Sequence, residues 1–467
     1  MENEILEKLT ALYGESDDFR LRKLHGGSVV VVSLDTISKE TKIAENVLKP
    51  LLCANIAAPQ DVEYALATAS VKSCVVFDDA VGKFFGGYAL IFFGQSCYAV
   101  DVREEFGRSV AEPPTSLVLH GPREGFVEDV KANLTLLRKR LKTPSLRTAC
   151  VTVGKYTSTT VCVCYLKDVA AQNVVDEVLQ CVSSIVIDGV ADSSYIAAYL
   201  DKQRTKLFHR VGMTEKPDVA TAKLLEGRVV VLVDGSPMAL TLPYLFIEDL
   251  QGPADYYEGG AVTGFGRSLR LVSVLTSVLL PALFVCLQKF NYQIIPLKFL
   301  ITVMNATDAI PFPPLAEMVL VIVVFDVLRE ANLRMPTAVG MSLSLVGAIV
   351  LGDAAVSAGL VGAPAVMIGA LSGIGLYAMP DNTLVLSILR LAFTVVGGIA
   401  GLFGVLLMTI ALLAYMVGLQ EYTAPFLAPY APTVSSDKQD AVWQRSVTDF
   451  FRRPESFDVQ NKVRRGK

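Results

Sequence analysis

The stretch LAFTVVGGIAGLFGVLLMTIALLAYMVGLQ, from Leu391 to Gln420, decides how this chain is read. It contains no Asp, Glu, Lys or Arg, and it exceeds the roughly 20 apolar residues that a helix needs to cross a hydrocarbon core about 30 Å thick. Two further charge-free runs precede it, Leu271–Gln288 and Ala354–Pro380. Residues 271–420 hold 11 charged side chains in all, whereas the first 250 residues hold 59. No water-soluble core demands apolar runs of that length. The sequence therefore predicts a polar module joined to a membrane module, with a function that uses both.

Composition agrees with that division. The 467 residues leave room for two or three domains, and 52% are hydrophobic against 19% charged. A net charge of −4 gives no sign of a nucleic-acid partner. The acidic start, Met1 to Lys8, lacks the basic and apolar regions of a secretory signal, so the polar module is expected to stay in the cytoplasm. Seven of the eight cysteines lie in that module, scattered without a CxxC pair. They predict neither a disulfide framework nor a zinc site, and Cys162 and Cys164 are expected to be reduced core residues on one face of a strand.

Within the polar module, strand-like runs alternate with helical ones. Ser28–Leu34 is a continuous β-branched run, as a buried strand requires. Lys39–Leu52 follows with helical spacing, and Tyr88–Phe93 and Cys97–Val102 form a hairpin about Gly94. Later strands are predicted at Ala149–Val153, Thr159–Leu166, Ser184–Ile187 and Arg228–Val233, with a helix at Val169–Val182. The expected fold is an α/β N-terminal domain of two small subdomains, 1–145 and 146–255. An α-helical polytopic membrane domain, 256–430, and a polar tail, 431–467, complete it.

Chemistry is sparse in this sequence. It contains no Walker loop, HExxH or GxSxG, and its three histidines, His25, His120 and His209, are not spaced as ligands. No catalytic residue, metal site or cofactor is expected. One local motif stands out, the turn His120-Gly-Pro-Arg-Glu-Gly-Phe126 ahead of a helix. Gly121, Arg123, Glu124 and Gly125 form either an anion or partner site at that helix N-terminus or a rigid turn whose charges pair locally. The helix ends in Arg138-Lys139-Arg140, read as a solvated end or a face resting on anionic lipid.

In the apolar half, Glu317, Asp326 and Asp353 are the acids inside or closing apolar segments, where charge is costly unless it faces water or a partner. Asp326–Arg329 and Glu330–Arg334 have the spacing of helical ion pairs. Gly340, Ser344 and Gly347 form a narrow, weakly polar stripe that suits either helix packing or a constricted water path. Basic residues near the C-terminus predict a cytoplasmic tail and an even number of crossings, four, with six as the alternative.

These segments together resemble the A subunits of the spore germinant receptors of endospore-forming bacteria, the GerA family. The resemblance runs from about Asp18 to Pro454. It is carried by the HGPREGF turn, Thr214–Asp218, Leu225–Pro237 and Asp255–Tyr257, and in the apolar half by Pro311–Pro314, Leu328–Pro336, Gly352–Val356 and Ala424–Pro429. Lys216 stands where the family usually has Arg, and Leu207–Val211 lacks the family's Pro-rich stretch. The resemblance implies a homo-oligomeric ring in the spore inner membrane that opens a path for monovalent cations. Its implied partners are the lipid bilayer, a transporter-like B subunit that takes the nutrient, and a lipoprotein C subunit. Gly340, Ser344 and Gly347 would then line the pore or ring interface, with Glu317, Asp326 and Asp353 facing cations. The alternatives are a stage V sporulation paralogue acting as an accessory channel, and a secondary transporter.

Overall fold

The computed structural model describes residues 4–14, 16–66, 71–103, 121–201, 207–307, 310–335, 347, 350–445 and 450–464. Two five-stranded antiparallel sheets build the polar half. The first contains β1 (Phe19–Leu24), β2 (Val29–Leu34), β3 (Lys72–Cys74), β4 (Tyr88–Phe93) and β5 (Ser96–Asp101), in the order β1-β2-β4-β5-β3. The second contains β6 (Leu146–Val153), β7 (Thr159–Leu166), β8 (Gly212–Thr214), β9 (Val229–Val233) and β10 (Ala239–Leu242), in the order β6-β7-β9-β10-β8. The same order occurs twice. In each unit helices follow the second strand, and one helix, Phe77–Phe85 or Pro217–Leu225, separates the third strand from the fourth. The polar half is one topological unit built twice.

All six residues of β2 and all five of β9 are buried, which is why both read as unbroken apolar runs. Val30 and Val32 pack under helix Phe77–Phe85, while Val29 and Val31 pack against Val47, Leu51 and Val62 on the other face. Strands β1, β3, β8 and β10 escape the sequence reading. The first is a polar edge strand, FRLRKL, and β3 and β8 have three residues each. Ser184–Ile187 is not a strand but a loop after helix Gln172–Ser183. Its apolar residues serve the core through Ile185, while the Ile187 and Asp188 carbonyls accept hydrogen bonds from Lys155 and Tyr156 in the β6–β7 turn.

Two further expectations need correction. Cys162 is not a free thiol. The β6–β7 register sets it opposite Cys150, with the Cα atoms 4.1 Å apart, and the two are joined as a disulfide, while Cys164 remains free and buried. Arg138 is not a solvated helix end either. Helix Val130–Arg140 packs Val130, Leu134 and Leu137 against Cys164, Val230 and Leu224, so it belongs to the second sheet and the seam lies upstream of it rather than at 145.

From that helix Arg138 reaches back into the first unit. Its Nε and Nη2 lie 3.1 and 2.9 Å from the buried Asp18 carboxylate. Tyr13, Ser16, Thr36 and Thr148 also donate hydroxyl hydrogen bonds to Asp18. The Arg138 guanidinium lies 5.1 Å from the centre of the Tyr13 ring. This hub pins the two units together.

The apolar half is helical. Gly260–Lys289 and the stretch 380–418 are the two helices, among the described residues, long and apolar enough to cross a membrane; Ala363–Ala378 is shorter. Pro314–Arg334 is also long but carries Glu317, Asp326, Arg329, Glu330 and Arg334. The expected ion pairs form, Asp326–Arg329 at 3.4 Å and Glu330–Arg334 at 2.7 Å. Small residues allow the helices to approach closely. A Cβ on Gly375 would lie 2.6 Å from the Ser273 carbonyl oxygen, and one on Gly397 would lie 2.8 Å from that of Ala282. The long helix Thr383–Gly418 breaks at Gly401 (φ 65°), and Lys289 Nζ donates to the Gly398 carbonyl at 2.7 Å, satisfying an acceptor near the break.

Removing the Asp18 carboxylate leaves Arg138 buried without its counter-charge. We expect Asp18→Ala to destabilise the polar half by about 3–5 kcal/mol, read as a shift in the denaturant midpoint. A shift well under 1 kcal/mol on the same measurement would show that the hub does not hold the units together.

Candidate functional site

The motif segments of the polar half converge where it meets helix Gly260–Lys289. The short turn Pro253–Tyr257 presents the buried Asp255 carboxylate to that helix. Arg270 donates to both carboxylate oxygens at 2.8 Å, Arg267 Nε donates at 3.0 Å, and the Gly252 N–H adds a bond at 2.9 Å. Thr263 closes the first turn of the helix by donating to the Asp255 carbonyl at 2.9 Å. Burial alone would raise the Asp255 carboxyl, but the two arginines and the Gly252 N–H hold it below the ordinary range.

Arg267 is fully buried and has a second anionic partner from the far end of the chain. Its Nη1 donates to Asp440 Oδ1 at 2.9 Å and to the Ala441 carbonyl at 2.7 Å. Tyr256 places its ring 5.6 Å from the same guanidinium and donates its hydroxyl to Asp440 at 2.9 Å. The polar tail is therefore no loose appendage. Arg453 donates to the Leu225 carbonyl at 2.7 Å, the Gln460 N–H bonds to Val169, and Phe457 lies under the Arg228 guanidinium at 4.2 Å. Arg228, itself buried, pairs with Glu226 at 3.1 Å and with Glu248, which also receives Lys223.

Beside this network lies a cavity of about 220 Å³. Asp218, Lys223, Arg228, Tyr244, Tyr257 and Asp381 are among its lining residues. Burial, and after it the neighbouring Arg228, lowers the Lys223 ammonium well below its usual range. Phe426 from the 424–429 segment packs with Phe208 and Phe246, and the Phe246 N–H donates to the Phe426 carbonyl at 2.9 Å.

The turn at Gly121–Gly125 belongs to this junction. Lys216 Nζ donates to the Pro122 carbonyl at 3.1 Å, and the Phe126 N–H to Glu215 at 2.7 Å. Gly121 (φ 116°) lies so close to the Tyr257 ring that a Cβ there would come within 2.6 Å of it. The N-terminus of the following helix holds the chain's own carboxylates. Asp129 accepts from the Lys131 N–H at 2.8 Å, and Asp234 from the Val130 N–H at 3.2 Å. Glu124 pairs with Arg140 at 2.8 Å, and Arg123 is exposed but also engaged. The Glu124–Arg140 pair is the kind of local charge contact that the rigid-turn alternative expects.

The candidates of the apolar half that are described lie away from this junction. Glu317 is buried and accepts the Gly362 N–H at 2.7 Å. Asp326 holds Arg390 at 2.7 Å and accepts from Ser387, so both carboxylates are engaged within the chain. Asp353 is exposed, with Ser357 3.5 Å away. Gly347 faces Leu328, while Gly340 and Ser344 lie outside the described residues. Among the described residues no group of His, Cys, Asp and Glu could hold a metal ion. The sequence reading missed Arg267, Asp255 and Asp440 as a set. No local pattern ties Arg267 to a residue 173 positions on.

Burial raises the Asp249 carboxyl to about 6, against the opposing effects of His209 and the Tyr244 hydroxyl. The folded state thus holds this proton more tightly than an unfolded carboxyl near 3.9 does. Its contribution to stability is complete below about pH 4 and is lost as the pH rises through 6. The change is on the order of 3 kcal/mol. Asp249→Asn should flatten the fall in Tm between pH 4 and 7; an unaltered pH profile would show that Asp249 does not titrate there.

A family model described as Bacillus/Clostridium GerA spore germination protein matches residues 7–456. The chain is 31% identical to spore germination protein KA of Bacillus subtilis (strain 168), over 97% of this chain and 86% of that one. It is also 31% identical to spore germination protein GerQA of Bacillus cereus, over 96% and 91% of the two chains. The uncharacterized membrane protein YfkQ of Bacillus subtilis (strain 168) is 31% identical over 98% and 91%. The crystal structure of the N-terminal domain of the A subunit of the Bacillus megaterium spore germinant receptor GerK3 is 25% identical, with a TM-score of 0.40, and covers 52% of this chain and 94% of that one. With motif segments meeting at one junction and a family match across nearly its whole length, the chain belongs to the GerA family of spore germination proteins.

Proposed function

We propose that this chain is the A subunit of a nutrient-sensing germinant receptor, a non-enzymatic protein that oligomerises in the spore inner membrane and forms or gates a cation path. The polar half and the tail face the cytoplasm. A transporter-like B subunit and a lipoprotein C subunit are the partners. The observation that carries this reading is the junction, where the linker, the first apolar helix and the tail share one buried charge network and the tail also rests on the second unit. A displacement of the second sheet must break the Arg453–Leu225 and Gln460–Val169 hydrogen bonds or carry the tail, and with it Asp440 and Arg267, along. Helix Gly260–Lys289 packs against Ala363–Gly375 and Thr383–Gly418, so it passes that movement to the rest of the apolar half.

Glu317 and Asp326 hold the fold in this scheme, and the exposed Asp353 is the acid available to cations. The stripe of Gly340, Ser344 and Gly347 remains our choice for the pore or ring interface.

The test is potassium release from liposomes holding the complete receptor. Asp440→Asn removes the tail's charge from Arg267 and leaves Asp255 in place. We expect assembly to persist and stimulated release to slow about tenfold, within the usual range of coupling between sites. Wild-type rates from an assembled complex would refute the relay. Ser344→Leu and Gly347→Leu are expected to slow release without preventing membrane insertion, and unchanged conductance would remove the stripe from the ion path.

A further inference from the structure

The first sheet contains a second pair of directly opposed cysteines. In the antiparallel pairing of β3 with β5, Cys74 faces Cys97. Such register partners have Cα atoms about 4.5–5.5 Å apart, within the span a disulfide bridges. Both thiols are free, and the Cys74 Sγ points its own hydrogen at the Lys72 carbonyl 3.9 Å away. Lys83, from helix Phe77–Phe85, brings its Nζ to 3.4 Å from the Cys74 sulfur. Asp79 holds the same ammonium at 2.6 Å from the other side.

The pair is sheltered but not sealed. Cys74 and Cys97 are 4% and 3% exposed, yet the Lys83 and Asp79 side chains beside them are 20% and 50% exposed. Strand β3 is a three-residue edge strand, and among the described residues β5 is the strand that pairs with it. A molecule the size of water can reach a sulfur at such an edge during local opening. A lysine ammonium held against one of two facing thiols distinguishes them chemically: one is stabilised as thiolate and the other keeps its proton.

We propose that Cys74 and Cys97 form an oxidisable pair, with Cys74 the attacking thiolate, Cys97 the resolving thiol, and a small hydroperoxide the oxidant. The Cys74 sulfur attacks one peroxide oxygen, so that an S–O bond forms and the O–O bond breaks. Hydroxide leaves and takes a proton from Lys83, which regains the one released when the thiol ionised. The Cys97 sulfur then displaces the hydroxyl from the Cys74 sulfenic acid. An S–S bond forms, the S–O bond breaks, and the Cys97 proton departs with the second water. Two thiols lose two electrons, and one hydrogen peroxide becomes two water molecules. The product staples the edge strand to β5.

The protonation balance supports this division of roles. The facing Cys97 thiol and then Lys83 lower the Cys74 thiol to about 7 against the effect of burial, whereas the Cys97 thiol is raised. Asp79 is the acid facing this cluster and opposes the lysine. The pair lies in the first sheet, away from the junction, and the proposal does not depend on the receptor reading.

The test uses the full-length protein in detergent micelles, exposed to hydrogen peroxide, quenched with iodoacetamide and digested without reductant for mass spectrometry. We expect a linked peptide containing Cys74 and Cys97. Cys97→Ser should stop the reaction at a Cys74 sulfenic acid that dimedone traps, and Cys74→Ser should leave Cys97 unreacted. Lys83→Met should slow oxidation of Cys74 at neutral pH by about tenfold, the effect of a one-unit change in thiol pKa. The exposed Cys53 serves as an internal reference. The assignment is overturned if Cys74 reacts no faster than Cys53, or if the link forms only after denaturant is added.

Discussion

The fold turns on one buried cation. Arg267 has no exposed surface, and its charge cannot remain out of water without anions beside it. Asp255 comes from the linker and Asp440 from the tail, so neither segment can leave without exposing or orphaning a charge. A linker, a helix start and a chain end are thereby fixed at one point. An apolar contact of the same area would permit sliding; paired hydrogen bonds to a planar guanidinium do not.

The same device recurs wherever distant segments must be joined. Arg138 ties the second unit to Asp18 in the first, Arg228 ties the second sheet to Glu248 and to Phe457 in the tail, and Arg390 ties the long apolar helix to Asp326. Arginine suits this role because it stays charged when buried and offers five donors in a fixed fork. Each site also carries hydroxyls or carbonyls that accept further hydrogen bonds, such as Ser372 beside Arg390 and the Leu146 carbonyl beside Arg138, while one nitrogen of each guanidinium has no hydrogen-bond partner among the described residues. Buried charges paired in this way define geometry more than they add stability.

Between these fixed points the architecture is economical. One antiparallel unit occurs twice in the polar half, with the same strand order and helix placement. In the apolar half, glycines bring helix backbones into contact. The joint between halves lies on the second unit, beside the cavity lined by Tyr244, Tyr257 and Lys223. Among the described residues the first unit touches the second chiefly through Asp18 and its neighbours, and β3 forms the far edge of its sheet.

The sequence by itself determined the division into halves, the long apolar helices, the central strands β2, β4, β7 and β9, and the family. Those features are written in local composition and period, where burial on both faces of a strand or around a helix demands unbroken apolar runs. It also supplied the motif segments, though not their meeting place. Tertiary structure alone decided that Arg138 is a buried tie rather than a solvated end, that Cys162 pairs with Cys150, and that Glu317 and Asp326 bond within the chain. It alone joined Arg267 to Asp440. The physical reason is that a charge or thiol carries no mark of its partner in the neighbouring residues. Whether it is solvated, paired or bridged depends on what the folded chain brings within about 3 Å of it.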